Sequence, residues 1–193
     1  EDDYDGEFRY DRQPVGALQG IAPDHVVYVG TTSKTLGPAL RLAWMVLPER
    51  LLGPVVDAKR HTDVHTETIG QLALADLITS HDYDRHIRAG RLRYRRRRDL
   101  LVHRLGPRSG GRFTVHGIAA GLHAMISLSN TGPSEQEVLA AAAAHGLALG
   151  ELGSHWHAPG DHAAGLIVGY GTPNEGTYPA AVDTLARVLR GVR

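Results

Sequence analysis

A chain of 193 residues, 42% hydrophobic and 22% charged, carries 21 basic side chains against 21 acidic ones, which suits one large or two small globular domains with a buried core. It has no cysteine, which excludes a disulfide framework, a thiolate metal centre and thiol catalysis and fits a cytoplasmic setting. Formal neutrality gives no general argument for nucleic acid, and no apolar run is long enough to span a bilayer, so no membrane association is expected.

The first residues, Glu1 to Asp5, lack a methionine and read as the end of a strand emptying acids into a loop, as though continued from a longer protein. Residues 6–24 are rich in Gly, Pro and Asp and predict a loop, with a helical turn near Ala17, Leu18 and Gln19. Residues 25–29 form a short β-branched run between Asp24 and Gly30 and predict a buried strand. Residues 42–47 predict a second such strand, stopped by Pro48, and a helix follows over 49–60.

Apolar positions Ile69, Leu72, Ala73 and Leu77 predict a helix over 66–79 packed on the sheet. From His81 a long helix is expected to end at Gly106 and Pro107, with Ile87, Leu92, Leu100 and Leu101 as its buried seam. A glycine-containing strand is expected over 117–128. Ser134 with acids behind it caps a helix that stops at Gly146. Strands over 147–149 and 165–170 and an amphipathic helix over 178–192 complete an α/β pattern.

The stretch from Tyr28 to Arg41 carries the chemistry. A strand runs into small hydroxyls, a single lysine, a Gly-Pro break and an arginine. A lone lysine at such a junction is easily aimed and desolvated, which makes its amine nucleophilic. Thr31, Ser33 and Arg41 are what a phosphate monoester requires. Upstream, Asp2 and Asp3 end a strand of the same sheet, where a carboxylate can keep a pyridine nitrogen protonated, and the Tyr4 hydroxyl can donate to a ring oxygen. These residues point to pyridoxal 5'-phosphate held as a Schiff base on Lys34.

Three segments strengthen this: residues 2–10 (Asp-Asp-Tyr-Asp-Gly-Glu-Phe-Arg-Tyr), 30–36 (Gly-Thr-Thr-Ser-Lys-Thr-Leu) and 38–41 (Pro-Ala-Leu-Arg). With residues 71–76, 84–88, 95–100 and 120–123, they resemble the aminotransferase-like domain of MocR-type regulators of the GntR family. The resemblance implies a fold-type I α/β domain whose residues 1–86 end a large cofactor-binding domain and whose residues 87–193 form a long interdomain helix and a small domain. It implies Lys34 as the Schiff-base lysine, Asp2 at the ring nitrogen, Tyr4 at the ring oxygen, and Thr31, Ser33 and Arg41 at the phosphate. It further implies a homodimer, an amino acid or vitamin B6-related effector, and DNA bound only through a winged-helix domain absent from these residues. The first half of the cofactor pocket is expected outside the chain as well.

One departure bears on function. The family pattern puts an arginine for the substrate carboxylate where residue 167 is isoleucine, and no Arg or Lys occurs between Phe113 and Ala186. Losing a charge-assisted bidentate contact costs about 1.5–3 kcal/mol. Effector sensing is therefore favoured over the alternative, an aminotransferase working on amino and 2-oxo acids, in which Lys34 would also move the substrate proton. A third reading is a cofactor-free dimerisation module. The seven arginines between Arg88 and Arg98 read as a solvated helix rather than a DNA contact, and His155, His157 and His162 as loop histidines rather than a metal site.

Overall fold

The computed structural model describes residues 1–10, 16–106, 110–158, 160 and 162–192. Pro107, the expected helix stop, Asp161 beside the histidines and residues 11–15 of the expected loop lie outside them. The chain divides into two compact units, Glu1–Arg91 and Leu92–Arg193.

In the first unit, β1 (Asp2–Asp3) pairs parallel with β2 (Tyr28–Thr31), which pairs antiparallel with β3 (Ala43–Val46). A helical turn α1 (Leu18–Ile21) precedes β2, and α2 (Glu49–Asp63) and α3 (Ile69–Thr79) follow β3. Strand β2 begins three residues later than expected, because its parallel partner meets it only at Val29 and Gly30. The strand over 42–47 forms, but it is not buried: all four residues of β3 are exposed, since it is an edge strand paired on one side only. Likewise α3 forms without packing on the sheet, with Ile69 83% and Leu72 66% exposed. Leu74 and Leu77 are half-buried, while Ile69, Leu72 and Ile78 stay exposed.

The long helix α4 (Asp82–Leu105) forms as expected and contributes its first part to one unit and its remainder to the other. Of its expected seam, Ile87 and Leu101 are buried and Leu100 is half-buried, but Leu92 is not. Leu92 is 56% exposed, whereas Arg97 and Arg98 are buried. Carbonyls explain the two buried arginines. The Arg97 guanidinium donates to the carbonyl oxygens of Tyr170, Gly171 and Pro173 at 3.1, 2.8 and 2.7 Å and lies over the Tyr178 ring, while Arg98 donates to the Ile118 carbonyl at 2.6 Å. A buried guanidinium is tolerated where its planar fork finds acceptors.

The second unit is a four-stranded antiparallel sheet in the order β4 (Phe113–His116), β5 (His123–Leu128), β7 (Gly165–Gly169), β6 (Gly150–Glu151). Strand β4 is an addition to the expected pattern. Only His123–Leu128 of the stretch 117–128 is strand, because Gly117 and Gly121 take left-handed φ values of 72° and 83° in the connecting loop. The expected strand at 147–149 is displaced to Gly150–Glu151. Period-2 alternation turns Phe113, Ala124, Ile126, Leu128, Leu166 and Val168 to the core. Helices α5 (Glu135–Ala144) and α6 (Tyr178–Gly191) supply Val138, Ala142, Val182, Leu185 and Leu189 at helical spacing.

Candidate functional site

The strand register gathers the expected site residues. Asp2 stands beside Val29, Asp3 beside Gly30, and Ala43 beside Thr31. Two parallel strands therefore end, and an antiparallel one begins, at a single edge of the sheet. Asp2 and Tyr4 leave that edge from β1, Thr31, Ser33 and Lys34 from β2, and Arg41 enters it just ahead of β3. Strand ends of this kind are where ligand-binding groups of α/β sheets collect.

The turn after β2 is tightly tied. The Thr32 carbonyl accepts from the amides of Thr35, Leu36 and Gly37 at 3.2, 2.9 and 3.2 Å. The Thr32 side chain is fully buried and its amide donates to the Leu42 carbonyl at 3.0 Å, bridging the turn to the start of β3. Thr31 Oγ1 has one proton and two acceptors in reach, the Leu42 carbonyl at 3.1 Å and Ser33 Oγ at 2.9 Å, and it accepts from the Ser33 amide at 3.1 Å. With that proton donated to Ser33 Oγ, the Ser33 hydroxyl proton is left to donate elsewhere.

Against this fixed backbone, Lys34 and Arg41 are exposed, and among the described residues neither side chain has a hydrogen bond or ion pair. Arg41 holds a left-handed backbone conformation, φ 52° and ψ 32°, as the chain passes from the short turn Pro38–Leu40 into β3. Such a conformation costs a non-glycine residue about 1–2 kcal/mol.

The two aspartates differ. Asp3 accepts from the Tyr28 hydroxyl at 3.1 Å through one oxygen and from the Gly6 amide at 2.9 Å through the other. Burial first, then the Asp3 carboxylate, push the Tyr28 phenol from its ordinary 10.0 up to about 12. Asp2 is exposed with neither oxygen engaged by a described residue. The Tyr4 phenol is raised by the Asp5 carboxylate, then by burial and Asp2, so it remains a donor.

A cleft of about 580 Å³ opens in the first unit, lined by Asp3, Tyr4, Thr31, Arg41, Trp44 and Leu74 among others. Of the six expected residues it takes in Tyr4, Thr31 and Arg41, while Asp2, Ser33 and Lys34 lie outside its lining. Sequence reasoning missed Thr35, Tyr83 and His86. The Tyr83 hydroxyl donates to Thr35 Oγ1 at 3.1 Å and His86 Nε2 meets the Thr35 carbonyl at 2.8 Å. The only signal was their i, i+3 spacing at the head of α4, beside buried Ile87.

In the second unit, Ile167 lies half-buried in β7, opposite Met125 on one side and Gly150 on the other. Trp156 and His162 stack at 4.4 Å, and no group of three or more potential metal ligands occurs among the described residues. No helix among them is long and apolar enough to cross a membrane.

Residues 5–150 match the family model of aminotransferase class I and II. The chain is 39% identical over 150 residues to the uncharacterized HTH-type transcriptional regulator YhdI of Bacillus subtilis, covering 77% of the chain and 32% of that protein. To the probable rhizopine catabolism regulatory protein MocR of Rhizobium meliloti it is 31% identical over 188 residues, covering 96% of the chain and 37% of that protein. The chain thus spans about a third of the length of these relatives. Among solved structures, Pyrococcus horikoshii kynurenine aminotransferase superposes with a TM-score of 0.86 at 25% identity, over 99% of this chain and 47% of that one. The α-aminoadipate aminotransferase LysN of Thermus thermophilus, complexed with a phosphopyridoxyl-leucine, gives 0.86 at 23% identity over 98% and 49%.

Proposed function

The chain belongs to the aminotransferase class I and II family and has a fold-type I α/β architecture, and from that premise we propose that it is the cofactor-holding, effector-sensing part of a MocR-type transcriptional regulator. The observation that carries the reading is the convergence of Lys34, Thr31, Ser33, Arg41, Asp2 and Tyr4 on one sheet edge. Pyridoxal phosphate fits this donor set: a guanidinium without a partner among the described residues and the Ser33 hydroxyl for the phosphate, a carboxylate that no described residue engages for the ring nitrogen, and an exposed amine for the aldehyde.

When bound, the cofactor supplies an electrophilic carbon and an electron-withdrawing ring. The chain supplies the rest. Arg41 and the Ser33 hydroxyl bind and orient the phosphate, and Thr31 orients Ser33 through its hydroxyl. Asp2 holds a proton at the ring nitrogen, a role that the doubly engaged Asp3 is poorly placed to share. Tyr4, kept protonated, donates to the ring oxygen. Lys34 gives the amine for covalent attachment.

In this reading residues 1–86 complete the large cofactor-binding domain, and residues 87–193 are the interdomain helix and small domain. A homodimer, an amino acid or vitamin B6-related effector, DNA contact through a separate domain and a cytoplasmic location belong to the same proposal, supported by relatives named as transcriptional regulators. A third relative, of Corynebacterium glutamicum, is named as a pyridoxine biosynthesis transcriptional regulator. The alternative, a working aminotransferase, has the solved enzymes in its favour, but Ile167 offers no charge to a substrate carboxylate.

The test uses the full-length protein incubated with pyridoxal phosphate, reduced with borohydride and peptide-mapped. A pyridoxyl group on Lys34, lost in Lys34→Ala, is the expected result. An unmodified Lys34 in the unaltered protein overturns the reading.

A further inference from the structure

The residue after the candidate lysine is held from far along the chain. Thr35 has two polar groups beyond its amide, and both are taken by the head of α4. Tyr83, 48 residues away, donates its hydroxyl to Thr35 Oγ1, and His86, 51 residues away, reaches the Thr35 carbonyl. A carbonyl only accepts, so Nε2 of His86 carries the proton in this contact. Thr35 Oγ1 passes its own proton to the Thr32 carbonyl at 3.3 Å, the same oxygen that gathers the amides of Thr35, Leu36 and Gly37. Burial of Thr35 and partial burial of Tyr83 limit the access of water to the bond between them, although His86 is exposed, and burial raises the Tyr83 phenol, so it stays a donor.

Lys34 itself is exposed and without a partner among the described residues. The direction of such a side chain is set by its backbone alone. On one side that backbone continues from β2, and on the other it is gripped through Thr35. Displacing a reacting group by about 1 Å can cost on the order of 100-fold in rate.

We infer that Tyr83 and His86 are positioning residues for Lys34, acting through Thr35 to present its amine to the aldehyde of pyridoxal phosphate. The inference rests on the reading that Lys34 carries the cofactor. Tyr83 lines the same cleft as Tyr4, Thr31 and Arg41, yet the hydrogen bonds of Tyr83 and His86 run to Thr35 and not to those groups, so their loss slows attachment and leaves the rest of cofactor recognition intact.

The test compares two probes on the full-length protein. Pyridoxal phosphate attaches to Lys34, and the attachment rate is read by borohydride trapping and mass spectrometry. Pyridoxamine phosphate has the same ring and phosphate but no aldehyde, so its affinity reports binding without attachment. His86→Ala and Tyr83→Phe are expected to slow attachment at least 10-fold while changing pyridoxamine phosphate affinity less than twofold. His86→Gln, which keeps an N–H donor at that reach, is expected to recover the rate to within about threefold.

Rates within twofold of the unaltered protein in both variants overturn the inference, as does an equal loss of pyridoxamine phosphate affinity, which marks a merely structural anchor. Tyr83→Phe removes a single oxygen and decides the matter if His86→Ala does not fold. An unlabelled Lys34 in the unaltered protein overturns the cofactor reading, and the inference with it. A labelled Lys34 with unchanged variant rates overturns the inference alone.

Discussion

Tyr28 and Asp3 form a pair that titrates with a visible consequence. The folded phenol titrates near 12 rather than 10.0, because burial and the Asp3 carboxylate both favour its neutral form. A group whose pKa is raised by folding adds stability below its unfolded value and loses it as pH climbs through the folded one. Tyr28→Phe should therefore cost about 1 kcal/mol up to pH 10, the low end for a bond to a charged acceptor because the pair is only part-buried. Urea unfolding of the two proteins should show this difference shrinking between pH 10 and 12, and a difference unchanged across that interval would refute the account. At this scale the sequence was readable where chemistry and chain position coincide. Lys34 and Arg41 stand seven residues apart on the connection from β2 to β3, and their residue types alone suggest the proposed phosphate-bearing aldehyde. The engagement of Asp3 by Tyr28 was not readable, since residues 25 apart become neighbours only through the parallel register.

Helix α5 shows an element whose start is written locally. Ser134 accepts from the Glu137 amide at 3.3 Å, and the Glu137 carboxylate takes the Ser134 amide at 2.8 Å, a reciprocal capping box. That backbone and hydroxyl donation holds the Glu137 carboxyl below its usual range. Glu135, one residue into the helix, is buried and works differently. Its two oxygens accept from the Gly165 amide at 2.6 Å and the Gly153 amide at 3.1 Å, tying the head of α5 to the start of β7. Glu135→Ala should cost roughly 3 kcal/mol by leaving two inward amides without a partner, whereas Ser134→Ala should cost about 1 kcal/mol. Chemical denaturation monitored by circular dichroism checks the ordering, and equal losses would contradict it. The cap was legible because Ser-Glu-Gln-Glu is a contiguous pattern. Strand β4 was not, because four residues behind a glycine-rich turn carry little periodicity until Phe113 and Val115 meet Leu128 and Ile126 across the ladder. The exposure of β3 and α3 was equally hidden. Apolar spacing in Ile69, Leu72 and Ile78 says that a face needs burial, and nothing in it says which residues bury it.

For the molecule as a whole, the decisive question is turnover against sensing, and Ile167 bears on it most directly. It sits where the family pattern carries an arginine, with Met125 and Gly150 as its cross-strand neighbours and no Lys or Arg on any strand of that sheet among the described residues. Incubating the cofactor-loaded full-length protein with common amino acids should yield no 2-oxo acid above background. Ile167→Arg should introduce a response, with affinity for carboxylate-bearing amines improved about 10-fold or more. Formation of 2-oxo acid from an amino acid by the unaltered protein would establish the transaminating alternative.

The Thr32 carbonyl, shared by three amides, also has a kinetic reading. Three N–H groups that depend on one acceptor cannot be released one at a time without cost to the others. The amides of Thr35, Leu36 and Gly37 should exchange with deuterium through a single opening event, with closely similar protection factors. That event moves the backbone beside Lys34, so its frequency is the rate at which the lysine loses its aim.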